Sequence, residues 1–112
     1  MENKKIPTNF VVNGISFKVN YKKGNKEGIL GLFGAVKQRI RLYKNQGDIK
    51  LSKEMIENTY FHELAHCLLW CAGGDWENEL LVQSLGTSLQ QYINSAEYEW
   101  YRAWCKEWQT WW

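Results

Sequence analysis

The sequence Phe61-His62-Glu63-Leu64-Ala65-His66 decides how this chain is interpreted. On an α-helix four residues turn through about 400°, so His62 and His66 project from one face, roughly 40° apart. Two neutral imidazoles on neighbouring turns can bind one Zn²⁺, and Glu63 is then close enough to reach a water molecule on that ion. The chain has 2 histidines, and both lie in this motif. The spacing therefore predicts a metal site with a general base beside it.

The surrounding residues predict that the motif lies on a buried helix. There is no Gly or Pro between residues 52 and 72, Ser52 can cap the helix, and Gly73-Gly74 can end it. A chance match to the motif is the alternative. It would leave two histidines and a glutamate on a buried helix without partners, which is costly, whereas a metal satisfies all three. The predicted apolar stripe comprises Met55, Ile56, Tyr60, Leu64, Cys67, Leu68 and Cys71.

Size and composition indicate one globular domain that spans residues 1–112. The net charge of +2 is too small to predict a nucleic-acid partner, and no apolar run approaches the length of a membrane span. The amino terminus lacks the apolar core of a signal peptide. Three cysteines cannot all pair within one chain, and such usage suits a reducing cytoplasm. Cys67 and Cys71 fall on the apolar side of the motif helix, which disfavours them as metal ligands.

The first half of the chain is expected to form a small, mostly antiparallel sheet of three or four strands. Residues 10–21 are predicted to form a hairpin around the turn Asn13-Gly14. A short strand is possible at 29–33, and residues 38–43 alternate with Ile40 and Leu42 inward. A turn at 45–48 closes this half.

The second half is expected to be helical, which makes the fold class α+β, with helices packed on one face of the sheet. After the motif helix, a second helix should run from about Trp76 or Glu77 to Ile93. Its apolar stripe is Leu81, Val82, Leu85, Leu89, Tyr92 and Ile93. Asn94, with Glu97 three residues later, resembles a capping box for a third, Trp-rich helix that reaches the end.

Two histidines leave a catalytic zinc one protein ligand short, since three protein ligands and a water are the usual set. The candidates are the acids before and at the start of the second helix, Asp75, Glu77 and Glu79. Helical geometry does not decide between Glu77 and Glu79 as the third ligand, because they flank the apolar stripe on opposite sides. Gly86 lies on the Glu79 side and would allow a close approach of two helices. Surface acids that only favour the helix dipole are the alternative.

The motif, a short loop and then Asn78-Glu79-Leu80-Leu81-Val82-Gln83 resemble the small zincin-like metallopeptidases of bacteriophages and prophages. The pattern is more distantly similar to the ImmA/IrrE and SprT-like metallopeptidase groups. The resemblance covers approximately residues 10–93, and only the His-Glu-x-x-His part is specific. It implies a minimal zincin-like domain, a second helix that bears the third ligand, Glu79, and a bacterial or phage-infected host cell. The Trp-rich end has no counterpart in the family.

The implied activity is zinc-dependent hydrolysis of peptide bonds in a peptide or protein substrate. His62, His66 and Glu79 would bind Zn²⁺, as in a gluzincin, and Glu63 would act as general base and then as general acid. No oxyanion-binding group can be assigned; Tyr60 and Tyr92 are candidates by residue type alone. One alternative is a zinc-stabilised adaptor domain without turnover. Another is a structural zinc whose four positions are all filled by protein.

The resemblance to zincins implies that the strand around Arg39–Tyr43, which precedes the motif helix, borders the substrate cleft, where it could present an exposed edge. An extended peptide could pair with such an edge, and the outward Arg39 and Arg41 would favour acidic residues in it. The alternative is that these charges only protect an edge strand from aggregation, and the general need for such protection favours that interpretation.

Four tryptophans would share one face if residues 97–112 are helical, since they fall within about 80° of arc. This face could pack against the sheet and the motif helix, or it could bind a protein partner, as in the adaptor hypothesis. Large apolar patches rarely stay exposed, which favours packing. The four residues are Trp100, Trp104, Trp108 and Trp111.

Overall fold

The chain forms a four-stranded sheet followed by two helices, in a computed structural model that describes residues 6–24 and 27–111 and the side chains up to residue 96. The expected α+β class is confirmed. The elements are β1 Asn9–Val12, β2 Ile15–Lys22, β3 Gly31–Gly34, β4 Arg39–Tyr43, β5 Asn45–Gln46, β6 Ile49–Lys50, α1 Lys53–Cys71 and α2 Glu79–Trp111.

The first two strands form the predicted hairpin. Asn13 and Gly14 have φ angles of 51° and 78°, the left-handed conformations that a two-residue hairpin turn requires. The turn sets the register so that Phe10 lies opposite Phe17. Their rings stack on the inner face of the sheet, with 5.4 Å between centroids.

The sheet has the order β1-β2-β4-β3, with β2 and β4 parallel and the other pairs antiparallel. It is therefore mostly antiparallel, as expected. The prediction that Arg39–Tyr43 is an exposed edge is wrong, because β3 pairs with the far side of β4 and becomes the edge itself. The two glycines of β3 weaken its strand signal in the sequence. The turn at 45–48 lies within a separate small sheet made of β5 and β6.

Helix α1 contacts both β3 and β4 on one side and α2 on another. Ile40 and Leu42 point inward from β4 and are fully buried, as predicted. Because α1 is covered on more than one side, its buried surface is wider than one stripe. Phe61 and Ala65 are buried outside the predicted stripe, whereas Met55, inside it, is 41% exposed.

The ends of α1 are those that the sequence predicts. The Ser52 hydroxyl accepts a hydrogen bond from the Met55 amide at 3.1 Å, which caps the first turn. At the other end Gly73, with a φ of 74°, reverses the chain. The Gly74 amide then donates to the Leu69 carbonyl at 2.8 Å, the pattern of a Schellman motif.

Helix α2 begins and continues differently from the prediction. It starts at Glu79, because the Asn78 side chain caps it by accepting a hydrogen bond from the Leu81 amide at 3.1 Å. It continues for 33 residues through Asn94, so the expected break and third helix are wrong. The Ser95 hydroxyl bonds the Tyr92 carbonyl within the helix, and no Gly or Pro follows to end it.

The side chains of Trp100, Trp104, Trp108 and Trp111 lie outside the described residues. Along the described chain, neither helix combines the length and the apolar character that crossing a membrane requires.

The two helices approach each other most closely at Gly86, as the sequence suggests. A Cβ atom at this position would lie 3.0 Å from the Phe61 carbonyl oxygen and 3.2 Å from the Cα of His62. These are backbone atoms of α1, which cannot move aside alone. The absence of a side chain at Gly86 therefore lets α2 lie directly against the turn that carries His62.

We predict that Gly86→Ala destabilises the protein, although the same change in an ordinary helix stabilises it by about 1 kcal/mol. The added methyl group would press on the α1 backbone, so we expect a net loss of about 1–3 kcal/mol in the free energy of unfolding. Urea denaturation measures this loss. Ser84→Ala, at an exposed position of the same helix, is the matched control and should stay within about 0.5 kcal/mol of wild type. A Gly86→Ala protein more stable than wild type would contradict the close contact.

Candidate metal centre

Helix α1 presents His62 and His66 on neighbouring turns of one face. Their ring centroids lie 5.1 Å apart. The His62 side chain is 26% exposed and that of His66 is 12% exposed. The two imidazoles thus sit at the margin of the core, within reach of solvent on one side.

Glu79, the first residue of α2, bridges the two rings. One carboxylate oxygen lies 3.1 Å from His62 Nε2, and the other lies 3.2 Å from His66 Nε2. Of the other two acids considered, Asp75 accepts a hydrogen bond from the Asn78 side chain, and Glu77 is exposed. Among the described residues the structure therefore brings Glu79 to the histidines, and neither Asp75 nor Glu77 forms an ion pair with them.

The outer nitrogens of both rings have partners as well. His66 Nδ1 lies 2.6 Å from the Trp76 carbonyl oxygen, and His62 Nδ1 lies 3.1 Å from the side-chain oxygen of Gln83. A carbonyl oxygen only accepts hydrogen bonds, so the Trp76 contact requires a proton on His66 Nδ1, and the Gln83 contact requires one on His62 Nδ1 when the amide oxygen faces the ring. In a neutral ring the Nε2 lone pair is then free, and in both rings Nε2 is the atom that faces Glu79.

The contacts between Glu79 and the two rings bring several lone pairs close together. Two Nε2 atoms and two carboxylate oxygens converge, and without additional protons on the rings nothing lies between them to donate. A divalent cation between the three groups would bind these electron pairs together. The observed separations of 3.1 and 3.2 Å are near the spacing of about 3.3 Å between neighbouring ligands at 2.0–2.1 Å from a tetrahedral zinc. The donor set and these two separations are compatible with a divalent metal.

Glu63 lies on the side of α1 that faces β3, and it is 7% exposed. Its carboxylate accepts a hydrogen bond from the Phe33 backbone amide. Single ligand atoms of His62, Glu63 and His66 all lie within 4.8 Å of one another. A buried carboxyl group is thus held beside the two rings while Glu79 binds them from the other helix.

Burial raises the pKa of Glu63 to about 7, and the nearby Glu79 adds to the rise. The neighbouring His66 and the hydrogen bond from the Phe33 amide lower the pKa in part. A carboxyl group with a pKa near 7 exchanges its proton readily at neutral pH, which is the property of an efficient general base.

Gly31 of β3 makes room for this carboxylate. A Cβ atom at Gly31 would lie 2.5 Å from Thr59 Cγ2 and 3.2 Å from Glu63 Cγ, so any other residue would force the Thr59 side chain or the strand to shift. The glycine that weakens the strand signal in the sequence is therefore the residue that brings β3 against α1.

The other candidate residues do not join the cluster. Tyr60 is buried in the core, and burial raises its pKa to about 12. Tyr92 is 67% exposed and lies about 20 Å along α2 from Glu79, at 1.5 Å per residue. Burial and the adjacent Cys71 raise the pKa of the Cys67 thiol to about 12. Since the thiolate is the form that binds metals, this disfavours Cys67 as a ligand.

Four contributions to the site were not predicted from the sequence. Gln83 had a usable signal, because it lies one turn after Glu79 and therefore shares its helix face. The Trp76 carbonyl and the Phe33 amide are backbone groups, for which the residue type gives no signal. The role of Gly31 depends on how closely β3 packs on α1.

We predict that Glu63 makes the cation-free protein less stable as pH rises from about 4.5 to 7. Its pKa in the folded state, about 7, exceeds the ordinary 4.5. The folded state therefore holds a proton that the unfolded state has released, and unfolding becomes easier across this window. The loss is a few kcal/mol at most, since one pKa unit corresponds to about 1.4 kcal/mol.

Glu63→Gln cannot ionise at this position and should lose this part of the pH dependence. Urea midpoints measured at several pH values with chelator present compare the two proteins, in which all other titrating groups are the same. If the urea midpoints of wild type and Glu63→Gln changed with pH in parallel, the pKa of Glu63 would not be raised.

No known protein family matches the chain, and neither does any curated protein or solved structure.

Proposed function

We propose that this protein is a zinc-dependent metallopeptidase that hydrolyses peptide bonds with Glu63 as general base. The observation that carries the proposal is the convergence of His62, His66 and Glu79 beside a buried carboxyl group with a pKa near 7. Two histidines and a glutamate form one of the known protein ligand sets of catalytic zinc. The resemblance to the small zincin-like metallopeptidases of bacteriophages and prophages agrees with this reading, as does the expected cytoplasmic location in a bacterial or phage-infected host cell.

Zinc is the metal that this donor set favours. Nitrogen ligands from two imidazoles suit zinc, whereas calcium and magnesium prefer sites made of oxygen alone. His62, His66 and Glu79 would hold the ion. When bound, it would supply a Lewis acid and lower the pKa of a water molecule toward about 7.

Glu63 would move the proton in this reaction. Its carboxylate would accept a proton from the attacking water and then deliver it to the leaving amine. The hydrogen bond from the Phe33 amide holds the carboxylate in place, and it favours the ionised form that accepts the proton.

The groups behind the histidines would set the direction of the rings. The Trp76 carbonyl and the Gln83 side chain would each accept a hydrogen bond from Nδ1–H, which would leave Nε2 for the metal. The Trp76 ring also packs edge-on against His66 and Phe33, with centroids 6.3 and 6.2 Å away. This aromatic contact would limit the access of water to the buried side of the site.

Strand β3 is the sheet edge beside the proposed catalytic group. Since β4 is internal, an extended substrate would pair with β3 and not with Arg39–Tyr43. The Phe33 amide links this edge directly to Glu63. A peptide aligned along β3 would therefore pass next to the carboxylate.

We predict that the purified protein binds close to one zinc ion per chain and that Glu79→Ala loses most of it. Removing one of three ligands leaves the histidines unable to hold the ion tightly. Glu77→Ala is the matched control: it removes an acid two residues away and should retain zinc. Metal analysis after dialysis measures both. Loss of zinc from Glu77→Ala with retention in Glu79→Ala would reverse the assignment.

We predict that Glu63→Gln abolishes hydrolysis of an unstructured protein substrate such as casein while zinc content stays unchanged. The amide cannot accept the proton from water, and the loss of a general base typically lowers the rate by about 10²–10⁴-fold. Zinc-loaded wild type and variant are compared by release of fluorescent fragments. Equal rates of hydrolysis in wild type and Glu63→Gln would contradict the role of Glu63 as general base.

If wild type binds zinc, shows no turnover on a broad panel of peptides and still captures a protein partner, the zinc-stabilised adaptor is favoured.

A further inference from the structure

The two halves of the chain carry opposite charges. Residues 1–51 contain eleven Lys and Arg and three Asp and Glu, whereas residues 52–112 contain three Lys and Arg and nine Asp and Glu. The small net charge of +2 is therefore the sum of a basic half, residues 1–51, which contains the sheet, and an acidic half, residues 52–112, which contains the helices. A partner that approaches the sheet meets a positive surface.

Four of the eleven basic residues of the first half lie on the face of the sheet that points away from the helices. Alternation along each strand places the side chains of Lys18, Lys22, Arg39 and Arg41 there, opposite to the buried Phe17, Val19, Ile40 and Leu42. Lys18 pairs in register with Arg39 on the neighbouring strand. We call the four residues Lys18, Lys22, Arg39 and Arg41 the basic face.

The basic face costs stability in the isolated protein. Like charges on directly opposite positions of neighbouring strands repel each other. No strand of the four-stranded sheet contains an Asp or Glu that could compensate. Within the part of the chain that the structure describes, none of the four basic residues forms an ion pair. The Nε atom of Arg41 is buried and has no hydrogen-bond partner. An anionic group that bound at the surface would offset the repulsion between the basic side chains.

Protection of a sheet edge does not explain these charges. Arg39 and Arg41 belong to β4, which lies between β2 and β3, and Lys18 and Lys22 belong to β2, which lies between β1 and β4. Charged residues that prevent aggregation are needed at edges, where backbone groups are unpaired. Here they lie on the two central strands.

We propose that the basic face binds an acidic stretch of polypeptide. Side chains that share a face of an extended peptide repeat about every 6.6 Å, the same spacing as Arg39 and Arg41 along β4. Single-stranded nucleic acid would need exposed aromatic rings for its bases to stack on. On the described outer face the one aromatic residue, Tyr43, is 8% exposed. A peptide with carboxylates on alternate residues fits this surface better.

The basic face and the candidate metal centre lie on opposite sides of the sheet, since helix α1 packs on the inner face. The edge strand β3 lies beside both: Arg41 lies opposite Leu32 on β3, and the next residue, Phe33, donates its amide to Glu63. If the proposed peptidase function holds, the acidic stretch belongs to the substrate. The binding itself does not depend on that function.

Fluorescence anisotropy with labelled synthetic peptides tests the inference on the full chain with chelator present. A peptide of alternating Glu and Ser should bind, and its affinity should fall with salt, because exposed charges are screened. The matching peptide of Gln and Ser should not bind. Arg39→Gln/Arg41→Gln should weaken binding of the acidic peptide on the order of tenfold.

Lys44→Gln/Lys50→Gln is the matched control, because it removes the same charge from exposed positions outside the basic face. It should retain most of the binding. If Arg39→Gln/Arg41→Gln does not fold, Lys18→Gln at an exposed position tests the same face. Equal losses in test and control variants, equal binding of the uncharged peptide, or tighter binding of oligothymidylate of equal charge would each overturn the inference. Cleavage without charge-dependent binding would count against this inference alone, whereas binding without any hydrolysis would count against the peptidase alone.

Discussion

The close packing of α2 against α1 at Gly86 is the constraint on which the candidate site depends. Two turns before this contact, α2 begins at Glu79, so the carboxylate is carried to a place set by a rigid helix. The carboxylate oxygens of Glu79 lie 3.1 Å from His62 Nε2 and 3.2 Å from His66 Nε2. A side chain at the contact would separate the helices and move the carboxylate away from the rings. The site is therefore a product of helix packing as much as of the motif itself.

A second glycine contact acts from the opposite side. Gly31 lets β3 lie against α1, and the Phe33 amide on the same strand binds the carboxylate of Glu63. The motif helix is thus held between two close neighbours, one that supplies a possible metal ligand and one that buries a possible base. Burial raises the pKa of Glu63, while the more exposed Glu79 faces the rings. Two carboxylates near the same histidines consequently have environments suited to different roles.

The sheet combines structural and electrostatic roles on its two faces. Its inner face supplies Phe17, Ile40 and Leu42 to the core. Its outer face carries basic side chains on the two central strands, and none of them forms an ion pair within the described residues. The repulsion between these basic side chains is not offset by acidic residues of the sheet, which is why we infer an acidic ligand for this face.

The features that the sequence determined are local ones. Helical periodicity placed His62 and His66 on one face, and short-range capping patterns gave both ends of α1 and the turn of the first hairpin. The residue pattern left Glu77 and Glu79 both open. The tertiary structure places Glu79 beside the histidines, because the orientation of α2 depends on contacts far away in sequence. The same reason explains why β4 is internal and α2 is continuous. Strand order and helix continuation depend on the balance of packing across the whole molecule, which no short window of residues contains.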